Sequence, residues 1–181
     1  LSSDMVDRAN LPEGVYYDWM HSMVSSGGAG QYELNQLLRR IQKLSQDKAT
    51  TMQQMDDLQA KVVFPKQHRS FVRVSLSDRM SKKEHGHVRM FAAETVQMVV
   101  FMGLYCQLVL QPNKLLEEEV ECFMLLGRIL YLLRNGDTAV RKVDLLQQLI
   151  LQHHDKFMKL YPRCAKIKMH LLLHIPGQLK Q

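Results

Sequence analysis

Phe91-Ala92-Ala93-Glu94-Thr95-Val96-Gln97-Met98-Val99-Val100-Phe101-Met102-Gly103-Leu104-Tyr105-Cys106-Gln107-Leu108-Val109-Leu110 holds one charge, Glu94, and is closed two residues later by Pro112. Within it Glu94, Met98, Phe101, Tyr105 and Leu108 recur at i, i+4, i+7, i+11 and i+14, one face of an α-helix. Proline cannot continue that helix. The stretch is long enough to cross a bilayer, but Glu94, Gln97 and Gln107 interrupt it, and no second span follows. It therefore reads as a core helix rather than a membrane span, and a core helix needs partners with apolar stripes of their own.

The flanking sequence supplies them. Downstream, Leu116, Val120, Phe123, Met124, Gly127, Leu130 and Leu133 make an amphipathic helix with Glu117, Glu118 and Glu119 beside the positive end of its dipole. Asn135-Gly136 stops it. A further helix, capped by Asp137 or Thr138, turns Leu146, Leu149, Ile150, His153, Phe157 and Leu160 inward as far as Tyr161-Pro162, and a last apolar stretch runs from Met169 to Ile175. Upstream, residues 31–63 lack Gly and Pro and place Leu34, Leu37, Leu38, Ile41, Leu44, Met52, Met55, Leu58 and Val62 near helical spacing. They predict one long helix, or a helical hairpin with its joint near Ser45 to Thr51. Before them, residues 1–30 form an irregular, glycine-punctuated segment that carries an Asp-x-x-His motif. Residues 64–90 read as an extended basic linker, and 91–181 as a helical C-terminal region. The expected class is mainly α, a helical bundle.

Composition agrees with a packed core. Of 181 residues, 46% are hydrophobic and 23% charged, which excludes disordered, collagen-like and disulfide-knot classes. Three cysteines make no even disulfide framework, so a reducing, intracellular setting is expected. The formal net charge of +6 is uneven: about −3 over residues 1–60, +6 over 61–89, −2 over 90–152 and +5 over 153–181. The first basic block holds Lys61, Lys66, Arg69, Arg73, Arg79, Lys82, Lys83 and Arg89, and the second Lys156, Lys159, Arg163, Lys166, Lys168 and Lys180. Such blocks neutralise nucleic-acid phosphates, although a solvated basic face has the same composition.

Two positions carry candidate chemistry. Asp18 and His21 in Asp18-Trp19-Met20-His21 share a helical face, so the carboxylate can orient the imidazole or both can approach one ion. Glu94 is the one charge on an inward stripe. A buried carboxylate needs a metal, a cation or hydrogen bonds to offset its desolvation, and Arg89 or Arg73 would serve as the cation. His170 and His174 also share a face downstream of Cys164, but they lack the His-Glu-x-x-His glutamate and any Cys-x-x-Cys pair. No phosphate-binding Gly-x-x-x-x-Gly-Lys loop is present.

In order, three blocks of the chain resemble the downstream part of DDE-type DNA transposases of the CACTA-like and related eukaryotic superfamilies. Pro12-Glu13-Gly14-Val15-Tyr16-Tyr17-Asp18-Trp19-Met20-His21 is similar to the motif that these families place between their second catalytic aspartate and the catalytic glutamate. Met90-Phe91-Ala92-Ala93-Glu94-Thr95 looks like the block of that glutamate, with threonine where an aromatic residue often follows. Phe123-Met124-Leu125-Leu126, Phe157-x-x-Leu160-Tyr161 and Lys168 to His174 resemble the helical tail beyond it.

The resemblance implies the edge of an RNase H-like α/β core, a nuclear location and DNA as partner. It implies Glu94 as a ligand for Mg2+ or Mn2+, and Asp18 and His21 organising the site or touching DNA. Lys61, Lys66, Arg69, Arg73, Arg79, Lys82, Lys83 and Arg89 would hold phosphates. Metal-dependent strand cleavage and transfer need two further aspartates, which the family carries upstream of this point unless Asp4 or Asp7 is one of them. The chain is accordingly expected to be an inactive piece of a transposon-derived DNA-binding protein. The alternative is a helical protein-protein interaction module without catalysis, self-associating through the Leu34 to Val62 stripe, a near-heptad pattern that Lys48 and the Ser45 to Thr51 stretch break.

Overall fold

The computed structural model describes residues 18–47, 51–64 and 76–180. Its elements are α1 (Trp19–Met23), α2 (Ala29–Asp47), α3 (Thr51–Lys61), α4 (Ala92–Tyr105), α5 (Glu117–Arg134), α6 (Gly136–Arg141), α7 (Val143–Leu160), α8 (Ile167–Leu172) and α9 (Ile175–Leu179). Short 3-10 turns lie at Ser77–Arg79 and Pro162–Cys164, and a π turn at Cys106–Leu110 extends α4. The protein is mainly α. Among the described residues there is no strand, so the RNase H-like edge has no counterpart in them.

α5 and α7 form the most extensive helix pair, with α2 and α4 packed against α5 and against each other. Phe123 and Phe157 are fully buried, as are Leu34, Leu37, Leu38 and Ile41 of α2. Each such side chain contributes roughly 1.5–3 kcal/mol by leaving water. The apolar stripe of α2, on which self-association would draw, is thus covered by the chain's own core. α2 and α3 are packed together, and residues 48–50 of the expected joint lie outside the described residues.

The stripe predicted for α4 holds over Glu94, Met98, Phe101 and Tyr105, all buried, but fails at Leu108, which is 58% exposed. The cause is the π turn. Its wider winding advances the register, so that Leu110 turns inward in place of Leu108. This helix and its π extension are also long and apolar enough to cross a membrane, with half of the most apolar window buried in the fold. On its outer side α4 joins α5, α7 and residues 62–64, which follow α3, around an open groove of about 900 Å3, bordered by Val63, Val100, Leu104 and Tyr131.

Residues 76–90, the described end of the basic linker, form a strap pinned against α2. Beside its apolar stripe, α2 carries Gln31, Asn35 and Arg39 at i, i+4 and i+8, and this polar row clasps the incoming strap. Asn35 donates to the Gly86 carbonyl at 2.9 Å and accepts from Ser81 N at 2.8 Å. Arg39 donates to the Ser81 carbonyl at 2.7 Å and Gln36 to that of Glu84 at 3.1 Å. Leu76 and Val88 are buried in the core, one near each end of the strap.

The loop entering α2 is equally constrained. Gly27 has φ +72°, and a Cβ on Gly28 would stand 2.7 Å from the backbone carbonyl atoms of Met23. Gly28→Ala is expected to destabilise the fold by about 1–3 kcal/mol, the usual result when backbone must move to admit a methyl group. A urea titration with an unchanged midpoint would contradict that packing.

Candidate functional site

The Asp-x-x-His motif forms a helix cap. Asp18 is the N-cap of α1, accepting from Met20 N at 2.7 Å, and His21 Nδ1 lies 2.6 Å from its second carboxylate oxygen. That bond from His21, foremost among several influences, holds the Asp18 carboxyl below the usual carboxylate range. Both side chains are more than half exposed. The Pro12 to Tyr17 part of the motif lies outside the described residues.

Glu94 is buried, as the sequence predicts, and it pairs with Arg79, while Arg89 is exposed and Arg73 lies outside the described residues. The guanidinium makes a two-pronged contact, 2.9 Å to one carboxylate oxygen and 3.1 Å to the other. The second oxygen also accepts from Phe91 N at 2.6 Å, capping the first turn of α4. A divalent cation at Glu94 would have to displace this guanidinium. The hydrogen bonds and ion pair of Glu94 run to Arg79 and Phe91, and those of Asp18 and His21 stay within α1 and its loop.

The candidate phosphate-holding residues separate in the same way. Arg79 is committed to Glu94, whereas Lys61, Lys82, Lys83 and Arg89 are exposed. Lys66, Arg69 and Arg73 lie outside the described residues. Lys82 reaches a cleft of about 580 Å3 between α2, the strap and the Pro162–Cys164 turn, where it meets Arg39, Arg40, Lys43 and Arg163. Among the described residues lining this cleft, those five cations face one carboxylate, Glu84.

The charge of the cleft is only partly neutralised. Arg40 pairs with Glu119 at 3.5 Å, and Arg39 spends one nitrogen on the Ser81 carbonyl while its Nε is buried without a hydrogen-bond partner. The fold has therefore joined one residue from each basic block to three cations of α2 that sequence reasoning passed over. The available signal was the i, i+4 spacing of Arg39 and Lys43, which puts both on one side of the helix.

A second cluster lies inside the bundle. Glu33 of α2, Cys122 of α5 and His153 of α7 are all buried, and one donor atom from each falls within 4.8 Å of the others. His153 Nε2 is 2.5 Å from one Glu33 oxygen, while the other Glu33 oxygen has no hydrogen-bond partner. Burial pushes the Cys122 thiol up, and the neighbouring Glu33, through its charge and through a hydrogen bond with the thiol, acts in the same direction. Such a buried, protonated thiol is a poor nucleophile, so the arrangement does not suit Cys-His catalysis. Cys164 instead lies 3.8 Å from His85, and His170 and His174 face each other at 3.2 Å. The chain matches no protein-family model, no curated protein and no solved structure.

Proposed function

We propose that this chain is a DNA-binding helical module of transposase-derived type, and that the cleft between α2, the strap and the Pro162–Cys164 turn receives the phosphate backbone. The observation that carries the reading is the gathering of Arg39, Arg40, Lys43, Lys82 and Arg163 around one concavity against a single lining carboxylate. Guanidinium and ammonium groups held on a helix and a pinned strap need little reordering to meet phosphates, and such contacts position a duplex without reading its bases. The transposase component rests on the ordered motifs around Asp18, Glu94 and the helical tail. In an intact parent, strand cleavage would require Glu94 to exchange Arg79 for Mg2+ or Mn2+.

Duplex binding is expected to weaken linearly on a log-log plot against salt, with a slope of about −0.9 for each phosphate neutralised. The double charge reversal Lys82→Glu with Arg163→Glu is expected to remove about two phosphates' worth of that slope and to lower affinity at least tenfold at low salt. Fluorescence anisotropy of a labelled duplex over a salt series measures both. Affinity insensitive to salt would exclude phosphate contacts. A strong slope left intact by the double reversal would assign the phosphate contacts to other exposed cations, such as Lys61, Lys83 or Arg89.

A further inference from the structure

We propose that Glu33, Cys122 and His153 form a zinc-type metal site that ties α2, α5 and α7 together inside the bundle. This inference is independent of the DNA-binding reading, since the cluster and the cleft are different groups of side chains.

Three observations converge. The donor atoms come from three helices yet lie within 4.8 Å of one another, close to the spread of a single coordination sphere. Each of the three residues is at most 2% exposed, and one Glu33 oxygen is buried with no hydrogen-bond partner. The Tyr161 hydroxyl is likewise buried without a hydrogen-bond partner. Buried polar atoms left in this state are costly, and a cation would satisfy the carboxylate directly.

The chemistry of the donors selects the metal. One carboxylate, one thiolate and one neutral imidazole carry two negative charges, so a divalent cation would leave the buried site neutral. A sulfur and a nitrogen donor favour Zn2+ over Mg2+ or Mn2+, which prefer all-oxygen surroundings. Zinc would leave about 2.0–2.2 Å to nitrogen and oxygen and about 2.3 Å to sulfur. At these lengths the tetrahedral nitrogen and oxygen stand roughly 3.4 Å apart, so the Glu33–His153 contact would open by about 1 Å. Binding displaces the thiol proton, requires His153 to present a ring nitrogen lone pair to the metal, and involves no redox step.

The test uses the 181-residue chain, purified without a histidine tag and titrated with Zn2+ and, separately, with Co2+. One equivalent of Zn2+ per chain is expected by elemental analysis after dialysis, with release of protons and a rise in Tm that a chelator reverses. The Co2+ form is expected to show a thiolate-to-cobalt charge-transfer band and tetrahedral d-d absorption. Cys122→Ser should abolish the charge-transfer band and weaken binding at least tenfold, whereas Cys106→Ser should keep both. If Cys122→Ser does not fold, Glu33→Gln takes its place, with at least tenfold weaker binding expected. A folded wild-type chain that takes up no stoichiometric Zn2+ would overturn the site whatever the variants do. So would a charge-transfer band that survives in folded Cys122→Ser.

Discussion

Glu94→Gln is expected to lower the unfolding free energy by about 3 kcal/mol, the low end of the cost of breaking a buried ion pair from one side. The low end applies because Arg79 keeps 17% of its side chain exposed, and water can relieve part of its lost pairing. Glutamine preserves the shape and can still accept from Phe91 N, so the loss isolates the charge rather than the cap. Arg79→Met combined with Glu94→Gln is expected to recover much of the deficit, since removing both charges spares the remaining one from burial alone. Urea titrations of the parent, the single and the double variants measure these differences, with equal m-values required for the comparison. The sign separates two roles for Glu94. A carboxylate held apart for an absent Mg2+ or Mn2+ would be strained by its own burial, and neutralising it would stabilise the chain. Stabilisation of Glu94→Gln would therefore contradict the ion-pair role and favour metal ligation.

The second large effect is expected at Gln31, which is fully buried in the first turn of α2. Its side-chain oxygen accepts from Gly27 N at 3.0 Å. Its amide nitrogen faces the carbonyls of Val24 at 3.2 Å and Met90 at 2.8 Å and the Thr95 hydroxyl at 3.0 Å. One side chain thus holds together the glycine loop, the end of the strap and the start of α4. Gln31→Leu fills nearly the same volume but leaves the Gly27 amide and the two carbonyls without this partner. At roughly 1–3 kcal/mol for each buried group so stranded, a net loss of about 3 kcal/mol is expected after the gain from leucine burial. Thr95→Val, which removes one member of the network, should cost about 1 kcal/mol. Equal urea midpoints for Gln31→Leu and the parent would show that the latch contributes nothing. Hydrogen exchange at Gly27 gives a local readout, since loss of its acceptor should speed exchange there before the core opens.

These two sites show how far a linear reading reached. That Glu94 would be buried and would need a compensating group follows from its place on the α4 stripe. The identity of that group does not, because several arginines belong to one basic block, and it is the turn at Ser77–Arg79 that brings Arg79 to the carboxylate. Asp18 and His21 do meet, as three-residue spacing requires, yet their exposed cap geometry is the structural role that this spacing equally allows. Glu33 offered the same signal as Glu94, a lone carboxylate aligned at i, i+4 and i+8 with Leu37 and Ile41. It escaped notice because glutamate near a helix start is ordinarily solvent-exposed. Leu108 was misplaced for a different reason: apolar periodicity assumes uniform winding, and the π turn breaks that assumption.

The helical class, most helix positions and most inward-facing side chains follow from the order of residues alone. Burial of a stripe repeating every 3.6 residues is a local consequence of backbone geometry, and Pro112, Gly136 and Pro162 punctuate it locally too. The pairing of Arg79 with Glu94, the meeting of Lys82 and Arg163 with the cations of α2, and the Glu33–Cys122–His153 cluster arise only when the chain folds back on itself. His153 is 120 residues from Glu33, so no periodicity links them. Their proximity is set by how α2, α5 and α7 pack, a balance of many weak side-chain contacts spread over the whole core rather than a property of any one segment.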